Sequence, residues 1–142
     1  MAGRLNSRAW LLMGLTGSTP GTLRLDAGDR LSFTADGRGA LTRGQLRKLE
    51  RRSGRTGLAD RLRGGAAEVV LDVPRKEIGD VRFPWYCFGA GMRFTVDGAV
   101  FRLSLLEPAN TRSSGDPGVA DIPDARASAA AWRATLTLLP GP

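Results

Sequence analysis

The chain contains no histidine. Its absence removes the usual general base near neutral pH, the most used transition-metal ligand and the common physiological pH switch together. A single cysteine, Cys87, leaves no internal disulfide and no cysteine-rich metal site. Its neighbours are aromatic and include no base, so a structural thiol is expected there. Lysine is nearly absent, at Lys48 and Lys76 only, and arginine carries the positive charge. With Ala and Gly also abundant, that bias is the mark of GC-rich coding, so the positions of the arginines say more than their identity. No stretch approaches the ~20 apolar residues that span a bilayer. The short run Ala9–Leu15 follows Arg4 and Arg8, but no small-x-small cleavage site follows it in Thr16-Gly-Ser-Thr-Pro20. It therefore reads as a first strand rather than a signal peptide. The expectation is a cytoplasmic protein, peripheral at a membrane where it meets one.

Catalytic constellations are missing as well. Asp72, Glu77, Asp80, Asp97 and Glu107 are scattered over strand ends and turns without metal-ligand spacing. Asn110, Thr111, Ser113 and Ser114 have no base nearby to activate a hydroxyl. Gly89-Ala-Gly91 lacks both the third glycine of a dinucleotide fingerprint and the Lys-Ser/Thr of a phosphate loop. A bulge or tight turn is expected there. These readings point to a chain that is not an enzyme and uses no cofactor or metal.

What remains is ample for one domain over residues 1–142. Apolar–polar alternation predicts strands at Ala9–Leu15, Thr22–Leu25, Leu31–Ala35, Glu68–Val73, Glu77–Phe83, Met92–Val96 and Ala99–Leu105. Asp97-Gly98 is the strongest hairpin signal, because both central positions of such a turn need φ > 0. On its flanks Met92, Phe94 and Val96, then Ala99, Phe101, Leu103 and Leu105, fall on one face. Residues 107–124 form a polar connection, and Ala125–Leu139 predicts a helix with Ala129, Trp132, Leu136 and Leu139 on one stripe. Asp124 or Pro123-Asp124 would cap it.

Charge is concentrated. Of the formal +7, the segment Leu41–Arg63 carries +6: eight basic residues (Arg43, Arg47, Lys48, Arg51, Arg52, Arg55, Arg61, Arg63) against Glu50 and Asp60. Thr42-Arg-Gly-Gln45 fits a capping box, Leu46 and Leu49 recur at helical spacing, and Gly54 can stop the helix. A second short helix follows with Leu58 and Leu62, closed by Gly64-Gly65. Residues 41–65 thus read as a basic helical hairpin inserted between strands.

Seven strands and one amphipathic C-terminal helix resemble the pleckstrin-homology (PH) superfold, in its bacterial PH-like or GRAM-like form. Thr22-Leu-Arg-Leu25 with Asp29-Arg-Leu-Ser-Phe-Thr34 is similar to the early strand pair of those domains. Asp72-Val-Pro-Arg-Lys-Glu-Ile-Gly-Asp-Val-Arg-Phe83 resembles their strand, turn and I-x-x-V strand, with Ile78 and Val81 pointing inward. The helical hairpin departs from the minimal plan of the family. The resemblance implies a mainly β (α+β) fold, a seven-stranded antiparallel barrel or sandwich with the basic insertion and a C-terminal capping helix. It also implies a non-enzymatic module that binds phosphoinositides, peptides or partner proteins.

Two sets of residues are candidates for binding. Arg43, Arg47, Arg51 and Arg55 step every four residues, with Lys48 and Arg52 beside them. They read either as a solvated helix face or as a surface for anionic lipid head groups, for a protein partner or, as the alternative function, for nucleic acid. The cluster Phe83-Pro-Trp-Tyr-Cys-Phe88 cannot place Trp85, Tyr86 and Phe88 all on one face of a strand. It reads either as a contact site or as a cover over one end of the barrel. An enzyme on a lipocalin-like barrel is a third reading, disfavoured by the missing histidine.

Overall fold

Among the described residues, alternating side chains build seven antiparallel strands, and three helices pack against them. The computed structural model describes residues 5–14, 17–83, 91–106 and 122–136. In chain order the elements are β1 (Leu5–Met13), β2 (Gly17–Leu25), β3 (Arg30–Ala35), α1 (Arg43–Ser53), α2 (Leu58–Arg63), β4 (Glu68–Pro74), β5 (Ile78–Arg82), β6 (Gly91–Val96), β7 (Ala99–Ser104) and α3 (Ile122–Leu136). One 3-10 turn, Arg75–Glu77, links β4 to β5. The strand order is β4-β3-β2-β1-β7-β6-β5. Strands β4 and β5 are the two edges, so the sheet does not close and the fold is an open β-sandwich. β1 pairs with β2 along its whole length but with β7 only at Trp10–Leu12, and that short seam joins the two halves.

Each expected strand is present, with shifted starts at the N-terminus. β1 begins at Leu5 and β2 at Gly17, well before the Ala9 and Thr22 that alternation suggests. The segment Gly17-Ser-Thr-Pro-Gly21 has turn composition but pairs residue by residue with β1, from Met13↔Gly17 to Ala9↔Gly21. Pro20 is tolerated in this interior strand because its carbonyl accepts from Asp36 N–H, just past the end of β3. Its missing N–H would face that same side, where the ladder has already ended.

Two turns explain the register downstream. Asp97 (φ 54°) and Gly98 (φ 80°) both take the left-handed conformation, giving the two-residue hairpin that the pair favours. In β5, Gly79 pairs with Thr95 and Arg82 with Arg93, so one extra residue is inserted opposite β6. That bulge, with Asp80 at φ 49°, puts Ile78 and Val81 on the same face, and both pack against the core.

The core is one cluster, and it includes the hairpin. Leu46, Leu49, Leu58 and Leu62 are as buried as Phe33 and Phe94 of the strands. The two short helices are therefore part of the hydrophobic interior rather than an appendage on a finished sandwich. α3 lies against β1, with Trp132 fully buried and its indole N–H donating to Ser7 Oγ at 2.9 Å. Ala129 and Leu136 are buried beside it, and Leu139 lies outside the described residues. This helix starts at Ile122, three residues earlier than expected, so Asp124 stands in its first turn rather than at its cap. Pro123 is accommodated there because first-turn N–H groups have no helical acceptor to lose. Among the described residues no helix is long and apolar enough to cross a membrane.

Candidate anion-binding face

Helix α1 is fixed at both ends by side chains that the sequence places there. The Thr42 hydroxyl accepts the Gln45 N–H at 3.2 Å, and Gln45 Oε1 accepts the Thr42 N–H at 2.9 Å. The same Gln45 amide donates from Nε2 to the Met13 carbonyl at 3.0 Å, which ties the helix start to the end of β1. Gly17 leaves room for that tie, since a Cβ there would stand 2.3 Å from Gln45 Oε1. At the other end Gly54 (φ 68°) donates its N–H to the Glu50 carbonyl. The Glu50 carboxylate accepts the Ala59 N–H at 2.9 Å, in the first turn of α2. The acid most able to neutralise the helix is thereby committed to its neighbour.

These anchors sort the cations of the hairpin by direction. Leu46 and Leu49 face the core, and Arg52 follows them inward. Its Nη1 donates to the Val100 carbonyl at 3.3 Å and lies 3.5 Å from Met13 Sδ. Arg52 therefore binds α1 to the sheet and departs from the outward set. The sequence held the signal for this, because Arg52 comes three residues after Leu49 and so shares its side of the helix. Arg43, Arg47, Lys48 and Arg51 are exposed on the opposite side. Arg55 is also exposed, but it lies beyond Gly54 in the inter-helix turn and does not continue the four-residue stepping on the helix.

None of these five cations forms an ion pair among the described residues. Elsewhere seven arginines pair with acids, while Arg24, Arg38, Arg102 and Lys76 also form no ion pair among the described residues. Arg8 meets Asp36, Arg30 meets Asp72 at 3.0 Å, Arg61 meets Glu68, Arg63 meets Asp60 at 3.4 Å, and Arg75 meets Asp29 at 3.0 Å. Arg82 and Arg93 share Asp80. α1 also carries no acid in its first turn, and Arg43 stands at the end where the helix dipole already favours an anion. The stepped arginines thus repel one another and the helix N-terminus, by a few tenths of a kcal/mol per pair. An external anion would relieve this.

The second candidate set, Trp85, Tyr86 and Phe88, lies outside the described residues. At its border Phe83 is half-buried, and the Arg133 guanidinium of α3 stands 5.2 Å from its ring centroid. A cleft of ≈ 300 Å³ lies between Phe83 and the Arg126–Arg133 side of α3. A second cleft, of ≈ 200 Å³, lies between β4, the β6–β7 hairpin and the C-terminal end of α1. Among the described residues no three His, Cys, Asp or Glu side chains gather closely enough to hold a metal ion. Comparison with models of known protein families, with curated proteins and with solved structures gives no match.

Proposed function

We propose that this protein is a non-enzymatic, PH-like binding module that docks on an anionic membrane surface through the outer face of α1. The observation that carries the reading is the contrast in compensation: among the described residues five exposed cations on and just after α1 form no ion pair, while seven arginines elsewhere do. A rigid mount supports it, because Gln45, Arg52 and the buried leucines hold the helix with that face outward. The exposed side of α1 carries Arg, Lys and Gly and no aromatic or aliphatic side chain. Binding is therefore electrostatic, without insertion into the acyl region, and falls steeply with salt.

Replacing Arg43, Arg47 and Arg51 by Gln tests this. At about 1 kcal/mol per basic residue near an anionic leaflet, the triple variant loses on the order of 3 kcal/mol of affinity for phosphatidylserine vesicles. Its thermal stability is unchanged or slightly raised, since self-repulsion is removed. Wild-type protein that ignores such vesicles at low salt would overturn the membrane reading. Salt-dependent binding to duplex or single-stranded nucleic acid in its place would select the alternative partner class. Retained vesicle binding by the triple variant would move the contact away from α1.

A further inference from the structure

We propose that the cleft between β4 and the β6–β7 hairpin is a binding site for a small apolar zwitterion of amino-acid size. Its volume of ≈ 200 Å³ lies below the ~300 Å³ at which sites for drug-sized ligands begin. A ligand of one branched or aromatic side chain plus a short polar head matches that space. Half of the lining residues are apolar, among them Phe101, which is buried, and Val73 and Val96, which are half-buried. The position is structural as well as local, because here the edge strand β4 of one half of the sheet faces the β6–β7 hairpin of the other.

The mouth supplies opposite charges that are not spent on each other. Arg52 and Arg55 line it on the α1 side and Asp97 on the hairpin side. Arg52 is held in place by the Val100 carbonyl, which fixes a cation at the rim. Neither Arg55 nor Asp97 forms an ion pair among the described residues, although both border the same cleft. Asp72, the other acid of the lining, is already matched by Arg30. A molecule with a carboxylate and an ammonium on one carbon, and an apolar side chain beyond it, would satisfy all three features at once. The carboxylate would face Arg52 and Arg55 through charge-assisted hydrogen bonds, the ammonium Asp97, and the side chain the valines and Phe101.

Titration of isotope-labelled full-length protein with L-leucine, leucinamide and N-acetyl-leucine, followed by amide chemical shifts, tests the assignment. Leucine should saturate shifts at Val73, Val96 and Gly98, and bind about ten-fold more tightly than either blocked form, one charged hydrogen bond being lost in each. Arg55→Gln should erase the preference over leucinamide and keep that over N-acetyl-leucine. Asp97→Asn should do the reverse, and it leaves the turn intact because Asn-Gly suits this hairpin equally well. Equal binding of all three compounds, binding of none, or loss of both preferences in either single variant would overturn the proposal. The readout is independent of vesicle binding, so it stands or falls apart from the docking face on α1.

Discussion

Arg30, Arg75 and Arg93 of the sandwich each meet an acid on a neighbouring strand or turn, and Arg82 meets one in its own strand, whereas among the described residues Arg43, Arg47, Lys48 and Arg51 on α1 form no ion pair. Exposed ion pairs contribute little to stability, so this difference is not about holding the fold together. In the sheets, pairing keeps charge local: Asp80 gathers Arg82 and Arg93 beside the free edge of β5, where charge and a bulge discourage a second strand from pairing. On α1 the one available acid, Glu50, is turned to α2, and the remaining charge points outward from a helix whose other side is core. These four arginines of the sandwich are matched internally; the cations of α1 are not, and on the proposed reading they meet an external anion.

The contrast requires that α1 be rigidly built in, and the largest effect should come from its inner side. Leu49 is fully buried, so Leu49→Ala should lower unfolding free energy by about 2–5 kcal/mol in urea denaturation. A loss below ~1 kcal/mol would mean that the hairpin merely rests on a core complete without it. A paired cation outside α1 should behave in the opposite way to the α1 cations. The Arg75 side chain is only 19% exposed, and it joins Asp29 and the Thr135 carbonyl of α3. Arg75→Gln should therefore cost about 1–3 kcal/mol of stability while leaving vesicle affinity untouched. If it weakened vesicle binding as much as the α1 substitutions do, the division between paired and available charge would fail.

A smaller effect tests the mount itself. Gly17→Ala places a methyl group against the Gln45 amide, which must then release the Thr42 N–H or the Met13 carbonyl. The expected cost is about 1 kcal/mol, the usual worth of a helix cap, seen as a lowered urea midpoint with helix content otherwise retained. Gln45→Ala should then cost little more in the Gly17→Ala background than Gly17→Ala alone, because both remove the same contact.

Much of this was legible from residue order. Met92, Phe94 and Val96 against Phe101 and Leu103, with Asp97-Gly98 between them, specify a hairpin locally, and local terms decide it. Thr42 and Gln45 specify a helix start in the same way. Gly17–Gly21 did not announce a strand, because what makes it one is a partner across the β1–β2 turn and a cover from the chain near Gly39 and Gln45. The inward placement of both Ile78 and Val81 is consistent with strand geometry only through a bulge that no alternation pattern encodes. At the candidate face, net charge located the segment, but pairing decided which cations are available. Pairing depends on residues distant in sequence, such as Asp72 for Arg30 or Asp29 for Arg75.

The least effect, and the finest test of the paired side, concerns an acid held by backbone rather than by an arginine side chain. Asp26 closes the β2–β3 turn, its Oδ1 accepting the N–H groups of Gly28 at 2.8 Å and Arg30 at 3.1 Å. The Arg30 N–H holds this carboxyl below its ordinary value, against the opposing effect of desolvation and with lesser help from the Gly28 N–H and the charges of Arg24 and Arg30. A depressed folded-state pKa stabilises the fold above the unfolded value, and that contribution disappears as pH falls through the folded value. Asp26→Asn keeps an oxygen that can accept both N–H groups and removes only the charge. The variant should be slightly less stable than wild type near neutral pH, and the two urea midpoints should converge as pH is lowered from about 5 to about 2. A gap that persists undiminished into acid would assign the turn's stability to acceptor geometry alone. In that case exposed charge in the sheets would contribute nothing to the fold, and the contrast with α1 would rest wholly on where partners can bind.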